Sequence, residues 1–104
     1  EYKDMSSSDR NLGDIATQLI LENDKVRIWN LVVAPGESSD WHLHENDYVT
    51  VVVEGGDLDV EYNDGSVASS PSQIGSWSFH GDHRIHRVTN NTSSTYKNVL
   101  IELK

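Results

Sequence analysis

Three histidines carry the chemistry this chain can do. His42 and His44 are separated only by Leu43, and on an extended segment side chains two positions apart face the same way. His86 belongs to a separate segment that a closed sheet can bring to the same face. Imidazole suits Zn, Cu, Fe and Ni, so three converging rings predict a first-row metal site. Glycines punctuate the same region: Gly36 stands before His42, Gly55 after it, and Gly75 before His86, which Asn90 follows. Tyr48 lies close behind His44. Its phenol titrates near pH 10 when unperturbed, so it reads as a neutral group that hydrogen-bonds or donates a proton.

The elements that must position these residues are strands. Val26, Ile28, Asn30 and Val32 alternate with Arg27, Trp29, Leu31 and Val33, and Ala34-Pro35-Gly36 ends that run in a turn. Tyr48 to Val53 is β-branched, which suits a buried strand. In Asp57 to Tyr62, Leu58, Val60 and Tyr62 face in while Asp57, Asp59 and Glu61 face out. Asn63-Asp64-Gly65-Ser66 is a hairpin signal leading into weaker strand material from Val67 to Ile74. Trp77 and Phe79 alternate with polar neighbours, Arg84 to Thr89 forms another strand, and Tyr96 to Leu103 a final one. Ile15 to Leu21 is either a short strand or a helical turn. Short strands at near-regular spacing with no convincing helix predict an all-β sandwich or barrel.

The 104 residues fit one domain. Eight Lys and Arg against seventeen Asp and Glu give a net charge of -9, which repels phosphate backbones and anionic lipid. Neither nucleic acid nor a membrane surface is an expected partner. The chain has no cysteine, so disulfides, thiolate chemistry and zinc fingers are excluded. No run approaches the roughly 20 apolar residues of a spanning helix, and no basic segment with an apolar stretch opens the chain. The cytoplasm is the expected compartment.

With these motifs in place the chain resembles the cupins. Their first motif is Gly, five residues, His-x-His, three or four residues, Glu, six residues, Gly. Here it reads Gly36, His42-Leu43-His44, Tyr48 where the glutamate is expected, and Gly55. The second motif is Gly, five residues, Pro-x-Gly-x-x-His, three residues, Asn; Gly75, His86 and Asn90 match, with Gly81 in the proline position and His83 in that of the second glycine. The resemblance implies a cupin-type jelly-roll β-barrel over 25–104, preceded by an arm (1–24) that could supply an edge strand or one exchanged within a homodimer. It implies a divalent Fe, Mn, Ni or Zn held by His42, His44 and His86, with a small organic molecule as substrate; Tyr48, where the chain departs from the motif, reads from its phenol as the catalytic proton carrier. The chemistry expected is dioxygenase-, isomerase- or lyase-like. The alternative is a non-catalytic module that binds or senses a small ligand. A structural β domain whose histidines merely pack is the blandest option.

The remaining signals have plainer readings. His80 and His83 are expected to be solvated in the Gly81-Asp82 loop, the alternative being a place on the pocket rim or, for His83, competition with His86 as ligand. Arg27 or Arg84 would pair with a substrate carboxylate only if either reached the site, and surface solvation is the commoner fate. Trp29, Trp41 and Trp77 are expected in the core or at a dimer contact. The sequons around Asn90-Asn91-Thr92 read as turn chemistry, and the acidic stretch Asp57 to Asp64 as the solvated face of a hairpin.

Overall fold

The last strand organises the molecule. Strand β8 (Tyr96–Leu103) alternates buried and half-buried residues, placing Tyr96, Asn98, Leu100 and Glu102 on its inner face. Its β-branched and long apolar side chains suit a position between two neighbours. A computed structural model describes residues 12–104; the polar arm read at Glu1 to Arg10 lies outside them. Among the described residues there are eight strands and no helix: β1 (Gln18–Glu22), β2 (Val26–Val33), β3 (Tyr48–Glu54), β4 (Leu58–Tyr62), β5 (Val67–Ser70), β6 (Trp77–His80), β7 (His86–Thr89) and β8. A five-stranded sheet runs β1-β2-β8-β3-β6 and faces a three-stranded sheet, β5-β4-β7. Every strand pairing is antiparallel. The all-β, jelly-roll expectation holds.

Registers follow the alternation of the sequence. Tyr48 stands opposite Glu102, Thr50 opposite Leu100, and Val52 opposite Asn98. On the other side of β8, Arg27 faces Glu102 and Leu31 faces Asn98. Ala16, Leu31, Val33, Val52, Leu58, Val88 and Tyr96 pack as one core cluster between the sheets. The segment read as strand or helical turn is β1, at the edge of the larger sheet, with a register shift between Leu19 and Leu21. No helix among the described residues is long and apolar enough to cross a membrane.

Two glycines fix the loops that bracket the site. Gly36 has φ of 79°, and the Glu37 N–H donates to the Ala34 carbonyl at 3.0 Å, closing the turn that Pro35 begins. Gly55 has φ of 75°, and a Cβ there would lie 2.5 Å from the Thr95 carbonyl oxygen. Only glycine meets both demands.

The outer face of the larger sheet is apolar. The registers align Phe79, Val49, Ile101, Ile28 and Leu21 across five strands. Trp77 and Phe79 on β6 are 71% and 57% exposed.

Candidate metal centre

The three histidines meet inside the barrel. His42 and His86 form an isolated bridge: the His42 N–H donates to the His86 carbonyl at 2.9 Å, and the His86 N–H returns the bond at 3.0 Å. In such a reciprocal antiparallel pair the two Cβ atoms project to the same side. Backbone pairing alone therefore sets the two rings side by side, with centroids 4.5 Å apart. His44 adds a third ring, 4.9 Å from His42 and 5.3 Å from His86. The segment around His42 and His44 is irregular beyond that bridge, not the regular strand that its spacing suggests. Both side chains are nonetheless buried, each 2% exposed, and His86 is 7% exposed.

Main-chain carbonyls set the tautomer of two of the rings. His42 Nδ1 lies 2.7 Å from the Asp40 carbonyl oxygen, and His86 Nδ1 lies 2.9 Å from that of Arg84. A carbonyl can only accept, so each Nδ1 carries the proton and each Nε2 keeps its lone pair. Metal-binding histidines are commonly oriented in this way. His44 Nδ1 is buried without a hydrogen-bond partner among the described residues. One ligand atom from each ring falls within 4.8 Å of the other two. Burial lowers the pKa of His42 to about 4 and, with the neighbouring imidazoles adding, that of His44 to about 2. Burial also lowers His86. All three are neutral near pH 7 and need lose no proton to ligate. These residues fit a transition metal.

Around them lies a cavity of about 310 Å³. Tyr48, 5% exposed, lines it and is stacked between two imidazoles, 3.8 Å from His44 and 4.5 Å from His80. Burial raises its pKa well above the ordinary value, so the phenol is neutral. His80 corrects the solvated-loop expectation. It ends β6, pairs in register with Tyr48, lines the cavity, and its Nε2 lies 3.1 Å from Thr50 Oγ1. His83 is exposed as expected and pairs with Asp47 at 3.0 Å.

Neither arginine considered as a carboxylate anchor lines the cavity. Arg27 donates through Nε and Nη2 to Glu102, at 2.8 and 3.2 Å. Trp29 Nε1 and Asn46 Nδ2 donate to the same carboxylate at 2.8 and 3.3 Å. Burial would raise Glu102, but these bonds outweigh it and hold the carboxyl below its usual range. Arg84 reaches Asp64 at 3.1 Å and lies over the Tyr62 ring. Asn90, fully buried, ties its loop: Nδ2 donates to the Val33 and Ser94 carbonyls, and Oδ1 accepts from Thr92. The turn reading of that sequon segment fits these bonds.

No family model and no curated protein matches the sequence. Solved structures do. A cupin domain from Bordetella pertussis is 27% identical, covers 88% of this chain and 99% of its own, and superposes with a TM-score of 0.74. An RmlC-like cupin with a double-stranded β-helix fold from Methanocaldococcus jannaschii is 13% identical over 83% of this chain and 76% of its own, at 0.69. The polyketide cyclase RemF from Streptomyces resistomycificus is 18% identical at 0.60; the match covers 78% of this chain but 56% of that longer one.

Proposed function

The chain is a small cupin, and on that premise we propose that it is a metal-dependent enzyme acting on a small organic molecule inside the barrel. One observation carries the reading: three neutral, buried imidazoles with ligand atoms within 4.8 Å of one another, beside a cavity of about 310 Å³. His42, His44 and His86 would hold a divalent Fe, Mn, Ni or Zn. When bound, that ion supplies Lewis acidity to a chelating substrate. The chain's own residues do the rest. Asp40 and Arg84 carbonyls hold two imidazoles in the ligating tautomer. Apolar walls, among them Leu31, Val60 and Leu100, exclude water. Tyr48 is the catalytic proton carrier, its neutral phenol clamped between His44 and His80.

The cyclase activity of one structural neighbour is compatible with such a site, as are the isomerase-, lyase- and dioxygenase-like reactions expected from the resemblance. The apolar row on the outer sheet face supports a homodimer that covers it. A binding or sensing module without turnover is the second reading. It is favoured by the make-up of the histidine cluster, which contains no carboxylate among the described residues. Product analysis after prolonged incubation with metal and oxygen separates the two.

Elemental analysis of purified protein tests the metal. Stoichiometric metal in the wild type that is lost in His44→Ala supports the proposal; equal trace metal in both refutes it.

A further inference from the structure

The cavity extends well beyond the histidines. On β3, Tyr48, Thr50 and Val52 face inward in turn, and Asn98 of β8 pairs with Val52. Asn98 therefore sits four residues along the barrel from Tyr48, roughly 13 Å at strand rise. Leu31, Val52, Leu58 and Val88 line the cavity and belong to the apolar walls around that end.

Within this apolar setting two polar groups stand together. Asn98 is 3% exposed and Tyr96 is 5% exposed; both line the cavity. Asn98 Nδ2 donates to the Tyr96 phenol oxygen at 2.9 Å. That bond leaves the phenol proton to donate elsewhere, and it leaves Asn98 Oδ1 buried with no hydrogen-bond partner among the described residues. Burial raises the Tyr96 pKa, keeping the phenol protonated. An unpaired buried carbonyl oxygen is costly, and a protein that keeps one beside a cavity has a use for it.

The pair offers one acceptor and one donor. A hydroxyl group both donates and accepts, so it completes the pair in a single contact. It would also serve if the carboxamide were turned by 180°, since it can accept from the amide. In the orientation drawn a carboxylate leaves Oδ1 unsatisfied, because it only accepts and the two oxygens repel. The rest of the lining agrees: among the described residues no lysine or arginine contributes, Asp82 adds negative charge, and Ser70 and Ser78 add hydroxyls. We propose that Asn98 and Tyr96 form a recognition site for a neutral hydroxyl group, so that the cavity takes a neutral, hydroxyl-bearing small molecule in preference to an anion. This rests on the reading of the cavity as a small-molecule site beside the histidines.

Benzyl alcohol, toluene and benzoate are suitable probes, of similar shape and different polarity. Each is titrated into zinc-treated and chelator-treated protein, following the Asn98 side-chain amide by NMR. In the metal-free protein, benzyl alcohol is expected to bind at least about 10-fold more tightly than the other two and to shift the Asn98 amide. Asn98→Leu and Tyr96→Phe should each abolish that preference while leaving metal content at the wild-type level. Tyr96→Phe keeps the ring and covers the case in which the leucine variant does not fold. Failure of benzyl alcohol to bind, or an undiminished preference for it in Tyr96→Phe, overturns the assignment. Zinc that never binds, with the hydroxyl preference intact, refutes the metal reading and leaves this one standing.

Discussion

Acidification should weaken the fold while His42 and His44 stay ready to ligate. In the folded protein His42 titrates at about 4 and His44 at about 2, against 6.5 for a free imidazole. Had both kept the free value, each would be roughly 9% neutral at pH 5.5, and metal affinity would fall about 100-fold between pH 7.5 and 5.5 from these two alone. With the lowered values both stay more than about 95% neutral, and their contribution to affinity is unchanged. The unfolded chain, however, takes up those protons from pH 6.5 downward. Stability is therefore present above that pH and declines as the pH falls from 6.5, toward 4 for His42 and toward 2 for His44. At pH 5.5 each of the two costs about 1.4 kcal/mol, together about 3 kcal/mol. That lowers Tm by roughly 10–20 °C for a domain of this size.

Melting curves recorded with free zinc at 100 times its Kd, and with chelator, read both effects. Zinc should add about 2.7 kcal/mol at pH 7.5 and no less than about 1.4 kcal/mol at pH 5.5, the lower figure allowing His86 the full 10-fold loss of a free imidazole, while both midpoints fall. A 100-fold affinity loss would shrink the zinc increment to about 0.4 kcal/mol at pH 5.5. An increment that collapses in this way would show imidazoles of ordinary basicity, and the buried geometry would be wrong.

Tyr48→Phe keeps the ring between His44 and His80 and removes only the hydroxyl. It should retain full metal content and lose about 100-fold or more in turnover once a substrate is in hand; lost metal would make the phenol oxygen a ligand instead. Glu102→Gln strips the charge from a carboxylate that is 1% exposed and accepts from Arg27, Trp29 and Asn46. Urea unfolding should show a loss of about 2 kcal/mol, softened because the Arg27 side chain is 33% exposed; no change would mean that the network contributes nothing. Because the Glu102 carboxyl is held low, its stabilisation is present above the unfolded carboxyl pKa and is lost as pH falls through the folded one. Gly55→Ala forces a Cβ to 2.5 Å from Thr95 O at a φ of 75°, and should cost about 2 kcal/mol or more by the same assay.

Much of the site was legible because its elements have strong local signatures. The alternation over β2, β4 and β8 located those strands, and the imidazole spacing singled out the three residues that meet. His80 escaped because β6 has only four residues, too few alternations to extend a strand into a following Gly-Asp-His loop. What places His80 is its pairing with Tyr48, which no local pattern records. The inward-facing Glu102 and Asn98 were implicit in the alternation of β8. Their partners are another matter: Arg27 lies 75 residues from Glu102 in sequence, and nothing near either residue announces the pair. The unpaired Oδ1 of Asn98 is likewise a property of three-dimensional surroundings, not of composition.

The reciprocal main-chain bonds between His42 and His86 have a consequence for change at these positions. They are made by amide and carbonyl groups that every residue but proline possesses, so the scaffold holds its shape whatever side chain it carries there. Aspartate, glutamate or cysteine could be exchanged for either imidazole while the two Cβ atoms keep their places. Donor hardness, and with it the preferred ion, can thus drift one codon at a time across a framework that never has to refold.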